Sequence, residues 1–289
     1  MSIETQTALG LTESRKWWNR TIKWALYALI LFIFTVPLVT ILVGAFSTMS
    51  DPTKLSLVPI EPTLDNFKAA GRLDVYRYLL NSFIVVGFGL ALQMLVSVFA
   101  AYSLARKKFI GMAAVMLIIL ATMMLPDEII AIPLTLVLAD LPLLHFSLMN
   151  TLAGMIVPVG MWGFSILVMT EFMRDVPLEL EESARIDGAG DFRIFWQIVL
   201  PMCKPALGVI GVFGFTMVWD QYLIPLLVAQ QPENWTLSLA LRALRGDPNI
   251  PGIGLLLASA LLALVPSVIV FLLFQRSFAS GLTTGALKG

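Results

Sequence analysis

The side chains able to do chemistry in this 289-residue chain are few and unevenly placed. Seven of its nineteen Asp and Glu residues fall between Glu171 and Asp191. Within that stretch Glu182 offers a carboxylate for a charge-assisted hydrogen bond to an Arg or Lys of another surface. Ser183 and Ala184 beside it are small enough to let a helix lie close against that surface. Elsewhere, polar groups stand singly within apolar runs. Asp220, flanked by Trp219 and Tyr222, is a candidate functional residue because a charge inside hydrocarbon is costly. Gln93 is better read as an interhelical hydrogen bond than as a ligand. Asp127 and Glu128 follow Pro126 as adjacent acids; a proton relay would use such a pair, and an exposed helix end explains it more simply.

Other chemistries find no residues to carry them. One Cys and one His leave no zinc site of the usual four-ligand kind. No Gly-x-x-x-x-Gly-Lys-Ser/Thr loop is present, so the chain shows no phosphate-cradling loop of the kind that hydrolyses ATP, and no catalytic residue is assigned. A net charge of zero argues against nucleic acid as a partner.

The elements that must position these groups follow from composition. Hydrophobic residues make up 58% of the chain and charged ones 13%, against about 45–50% and about 25% in soluble domains. Mean hydropathy is +0.87. This is the composition of an all-α, polytopic membrane protein lying in a lipid bilayer. Windows of about 20 apolar residues predict six spans, at 24–46, 79–105, 111–125, 148–170, 205–229 and 253–274. The third is short, because Pro126, Asp127 and Glu128 interrupt it before 129–138 resumes. With both termini cytosolic, thirteen of the nineteen Lys and Arg residues lie inside, which fixes the expected orientation. Residues 1–23 are then a cytosolic segment before a retained first helix. The segments at 47–78 and 230–252 are external loops, and 277–289 is a cytosolic tail. Cys203 falls in a cytosolic segment and is expected as a free, reduced thiol.

The polar stretch 171–204 has its own punctuation. Asp175 and Pro177 suit a helix start, and Gly188 suits a stop. Asp191 can cap a second helix, which Pro201 ends or kinks. A helix–Gly–helix hairpin held outside the bilayer is predicted.

Glu182, Ser183, Ala184, Gly188, Ile198, Leu200 and Pro201 reproduce the spacing E-A-A-x3-G-x9-I-x-L-P, departing only at Ser183. This resembles the cytosolic signature of permease subunits in bacterial ATP-binding-cassette importers. Asn81-Ser82-Phe83, the run from Ala101 to Arg106, and Ala184-Arg185-Ile186-Asp187-Gly188-Ala189 are similar to the carbohydrate-uptake subgroup. Phe274-Gln275-Arg276 and the tail from Gly281 to Gly289 resemble the second, six-span permease of maltose-type and glycerol-phosphate-type systems.

The resemblance implies a type I importer permease fold, with a core over 75–276 and a coupling helix in 171–204. It implies that Glu182, Ser183, Ala184, Asp187, Gly188, Ile198, Leu200 and Pro201 contact an ATPase subunit, with ATP and Mg bound there and no cofactor on this chain. Gly285, Lys288 and Gly289 would reach toward the ATPase dimer. Further implied partners are a homologous second permease, two ATPase subunits and an extracytoplasmic solute-binding protein, all at the bacterial cytoplasmic membrane. The implied cargo is a sugar or sugar-like solute. Such permeases often carry Trp-Asn where this chain has Trp219-Asp220. Two roles stay open for Asp220: accepting hydrogen bonds from sugar hydroxyls while Trp219 or Tyr222 stacks on the ring, or pairing with the partner permease. The alternative class is an ion-coupled secondary transporter using Asp220 or Glu128. It would favour inverted repeats and broken helices in matched positions, and the sequence shows no such pair.

Overall fold

The computed structural model describes the backbone of residues 3–48, 58, 61–142, 145–246 and 252–286, and side chains within these from Arg20 to Phe274. Among the described residues the chain is helical and contains no β-strand. Three helices are individually long and apolar enough to cross a bilayer, with spans at Arg20–Ala45, Val75–Arg106 and Ile253–Phe274. Three bent helix pairs are long and apolar enough only when each is counted as one: Met112–Met124 with Asp127–Ala139, Leu152–Val159 with Gly163–Arg174, and Asp191–Met202 with Lys204–Trp219, the last of which includes the return limb of the polar hairpin.

The chain divides into two compact units. The first comprises Met1–Ala70 and Asn249–Leu261. Here α1 (Ile3–Ala45) runs unbroken through Pro37 and takes in most of the segment expected at 1–23 as a cytosolic stretch before the first helix. After it the chain folds back through one bridge, Ser47 to Pro62. The Asn66 amide, on α2 (Asp65–Arg72), donates to the carbonyls of Ala45 and Ser47 at 3.0 and 2.9 Å. These are carbonyls at and just past the end of α1, where no further turn supplies a donor.

The second unit comprises Gly71–Pro248 and Leu262–Gly289. It is built around α3 (Val75–Arg106), whose 32 residues span about 48 Å at 1.5 Å per residue. Packed on it are α6 (Leu152–Val159), α7 (Gly163–Arg174) and α11 (Lys204–Trp219). One apolar cluster surrounds the first half of α3, with Val85, Val86, Met155, Val159, Phe215 and Trp219. A second surrounds its other half, with Val98, Ala101, Met169, Met173, Phe195 and Ile210. Gln93 lies between the clusters, fully buried, and donates 2.8 Å to the carbonyl of Val159. That carbonyl closes α6, so a side chain from α3 satisfies a group the interrupted helix cannot. Gly214 allows this packing, since a Cβ there would run into Gln93 Oε1 and Leu90.

The bends have local causes. Leu125, held extended before Pro126, ends α4 (Met112–Met124). Asp127 and Glu128 then occupy the first turn of α5 (Asp127–Ala139), where the helix dipole favours acids. The pair bends by 110°, and each 13-residue piece is about 20 Å long, too short to cross alone. Trp162, also extended, separates α6 from α7 with a 41° bend. The interruption expected at 126–128 is present, and the expectation of continuous spans at 148–170 and 205–229 is corrected by the break at Trp162 and by the end of α11 at Trp219, with helix resuming only at Leu223. An averaged hydropathy window passes over a two- or three-residue break without registering it.

Candidate functional site

The hairpin forms as its punctuation predicts. Helix α8 spans Leu178–Ile186 with Pro177 at its N-cap, and Gly188 reverses the chain at φ 84°. Gly188 N–H donates to Arg185 O at 3.0 Å and Ala189 N–H to Ala184 O at 2.9 Å, the paired bonds of a Schellman motif. Nothing lies within 4 Å of where a Gly188 Cβ would sit, so backbone conformation, not space, calls for glycine. The return strand of the hairpin begins as α9 (Asp191–Ile194) and loosens into a π-helical turn at Phe195–Val199. Pro201, with no N–H to donate, lies in the next short piece, α10 (Leu200–Met202). A 68° bend at Cys203 leads into α11. Cys203 is a free, buried thiol.

One side of this hairpin is fastened to α3. Arg106 Nε donates to Glu181 Oε1 at 2.5 Å, and its Nη2 donates to the Val176 carbonyl at 2.8 Å. Both side chains are withdrawn from solvent, at 6% and 1% exposure. Phe195 adds a second attachment, with its ring 5.6 Å from that of Phe99 and 4.9 Å from that of Tyr102. At the rim, Asp191 accepts from Lys107 at 2.6 Å and from Arg185 at 3.3 Å. The hydrogen bond and charge of Lys107 hold the Asp191 carboxyl below its ordinary range, and Asp191 in turn pushes the Lys107 ammonium up.

The other side faces outward. Glu182, Ser183 and Asp187 are exposed, and Glu182 has no side-chain partner among the described residues. Ser183 Oγ donates back to Leu180 O at 3.0 Å. Ala184, Asp187 and Ile198 line a groove of about 230 Å³ with Arg193 and Gln197. Leu200 is half-buried against the second apolar cluster, while Pro201 is exposed. The residue that sequence reasoning missed is Glu181. A basic residue ending a span, Arg106, opposite a helix with three acids at 179, 181 and 182 was the available signal.

The residues expected along a pathway separate. Trp219 is 5% exposed, its Nε1 donates to Ala263 O at 3.1 Å, and its ring packs with those of Phe215 and Phe83 at 5.4 and 5.2 Å. The sequence offered it as a stacking surface; here its ring is enclosed in the apolar core of this unit. Tyr222 carries the Arg242 guanidinium over its ring at 4.9 Å. Asp220 is exposed at the end of α11, and Gln93 is enclosed in the core. The Asn81-Ser82 pair has a structural reason: Asn81 donates to the carbonyls of Glu233 and Trp235, both at 2.9 Å, and Ser82 Oγ accepts from Leu237 N–H at 2.8 Å. Together they tie the 230–237 loop to the start of α3. Gly285 lies in the last helix (Ile253–Ala286), and Lys288 and Gly289 lie outside the described residues.

A bundle of interrupted apolar helices with a clamped polar hairpin defines a membrane transport subunit, and comparison with known proteins agrees. Residues 93–283 match the family described as binding-protein-dependent transport system inner membrane component. A putative ABC transporter permease from a Caldicellulosiruptor strain is 30% identical, covering 96% of this chain and 99% of that one. The galactooligosaccharides transport system permease GanQ of Bacillus subtilis is 30% identical over 95% of this chain and 98% of its own length. The polygalacturonan/rhamnogalacturonan permease YtcP of the same organism is 29% identical, with 94% and 99% covered. The solved structure of a bacterial ABC transporter importing the acidic polysaccharide alginate shares the fold, with TM-score 0.76 at 22% identity, covering 89% of this chain and 97% of that one. The chain belongs to the binding-protein-dependent transport system inner membrane component family: it is an ABC importer permease subunit. The ion-coupled alternative gains nothing from the broken helices, which this family assignment already accommodates.

Proposed function

We propose that this chain forms half of the translocation pathway of an ATP-driven carbohydrate importer, with residues 171–204 as its contact with a partner ATPase. The observation that carries the proposal is the two-sided hairpin, with Glu181 locked to α3 and Glu182 turned out, unengaged. Ile186 is 87% exposed on the same hairpin, an apolar group whose exposure suits a protein contact. The small groove beside Ala184, Asp187 and Ile198 suits an incoming side chain. A rigid helix passes displacement on where a flexible loop would absorb it. ATP and Mg belong on the two ATPase subunits, and a second permease completes the pathway. A solute-binding protein delivers cargo to the face opposite the hairpin, and both termini lie on the cytosolic side of the bacterial cytoplasmic membrane. Relatives named for galactooligosaccharides and for polygalacturonan support the carbohydrate reading. Gly285, Lys288 and Gly289 belong to a tail directed at the ATPases, and Asp220 to a polar contact with solute or partner permease.

The test is uptake together with ATPase stimulation in proteoliposomes holding the complete complex. Gly188→Pro and Glu182→Lys should abolish stimulation by the loaded binding protein while the subunit still inserts and assembles. Unchanged stimulation would remove the coupling role.

A further inference from the structure

The return limb of the hairpin carries two exposed faces of opposite character. Arg193 and Gln197, joined at 3.0 Å, line the groove beside Ala184 and Asp187. Phe192 and Trp196, each the residue before one of these, are 72% and 46% exposed, with their rings 6.1 Å apart. Positions four apart share a helix face and neighbours lie about 100° apart around it, so the limb is polar towards the groove and aromatic beside it. An exposed aromatic pair next to a protein-binding groove calls for a cover of its own.

Continuity with the span says what that cover is. Trp196 packs on Phe195 at 5.4 Å, and Phe195 stacks on Phe99 at 5.6 Å. Phe99 is itself exposed and continues a stripe with Phe88 and Leu95 along the spanning helix α3. Spacings of seven and four residues put this stripe on one side of the helix, and an exposed apolar stripe on a span suits hydrocarbon. Aromatic rings thus run without a gap from that stripe to the hairpin limb. Lys107, bonded to Asp191 at 2.6 Å, brings the segment 107–110 to the start of the limb. There Phe109 and Ile110 are exposed, and Lys108 is exposed with no partner among the described residues. Apolar and aromatic groups beside an unpaired ammonium match the headgroup level of a bilayer, where Trp rings collect and anionic phosphates attract Lys. We propose that Phe192, Trp196 and Lys108 form a lipid seat, the aromatic face resting in the leaflet on the hairpin's side and Lys108 taking a lipid phosphate. The seat rests on the reading above only for calling that leaflet cytosolic, and it leaves the groove face free for a protein.

The assembled complex in a bilayer tests it, with Cys203→Ala, cysteine-free partner subunits and nitroxide labels at Phe192→Cys, Trp196→Cys or Gln197→Cys. Oxygen concentrates in hydrocarbon and a polar nickel chelate is excluded from it, so the ratio of their collision rates should be about threefold higher at the first two positions than at the third. In the complex with native residues, adding phosphatidylglycerol to a phosphatidylcholine bilayer should slow amide exchange over 191–199 about fivefold, the worth of one cation at the surface. Lys108→Gln should abolish that difference, and Lys108→Arg should keep it. Equal collision ratios at the three positions would overturn the proposal, as would shielding of Phe192→Cys from both reagents, which would put protein over the face. Exchange indifferent to phosphatidylglycerol, or a lipid effect that survives Lys108→Gln, would overturn it too. Failure of the coupling reading would show separately, in ATPase stimulation, which none of these measurements uses.

Discussion

Replacing Arg106 by Met isolates the fastening of the hairpin. The substitution keeps an unbranched apolar stem but leaves Glu181, 1% exposed, without its hydrogen-bonded partner and with only the half-exposed Arg185 at 3.8 Å, and the Val176 carbonyl without a donor. Breaking a buried ion pair from one side costs about 3–5 kcal/mol, since the remaining charge stays desolvated. At 1.36 kcal/mol per decade this is roughly two to nearly four decades in the docked-to-undocked ratio of the hairpin. Amide hydrogen exchange on the assembled complex reads that ratio directly. The α8 amides should lose protection by this amount, and the middle of α3 should change little. Arg106→Met combined with Glu181→Leu should recover most of the loss, because an apolar pair in place of a buried ion pair is neutral or stabilising by about 1–4 kcal/mol. Unchanged α8 exchange in the single variant would refute the reasoning, as would a double variant no better protected than the single.

Gly214→Val should destabilise the helix core by about 1–3 kcal/mol, because its Cβ would displace Gln93 and Leu90; thermal unfolding of the detergent-solubilised complex measures it. The Asp191–Lys107 contact should be insensitive to pH through the neutral range. With the Asp191 pKa lowered, its contribution is complete above the ordinary carboxylate value and lost as pH falls through the lowered one. With the Lys107 pKa raised, its contribution is complete below the ordinary lysine value and lost as pH rises through the raised one. Salt should weaken the contact, as both side chains are about half exposed; hairpin exchange against pH and ionic strength follows both effects.

The hairpin was legible in the sequence because its determinants are local: a proline at the cap, a glycine at the reversal, an acid at the restart. What could not be read was which acid turns inward. Glu181 and Glu182 are neighbours about 100° apart around α8, and only the position of Arg106 on a distant helix decides between them. Trp219 and Gln221 show the same limit. Both lie beside the polar break after α11, yet the first is enclosed by Phe83 and Phe215 while the second lines an open space of about 480 Å³ with Asp127 and Trp162. The spans were legible as apolar lengths, whereas their breaks rest on single extended residues such as Leu125 and Trp162.

Helix α3 holds the 230–237 loop at Asn81 and the hairpin at Arg106, with no break between. A continuous helix is stiff along its axis, so a push at either end arrives at the other without any relay of side-chain rearrangements. Conformers in which one end has shifted and the other has not should therefore be short-lived. In time-resolved measurements, probes placed at the two ends of α3 should report a single shared rate.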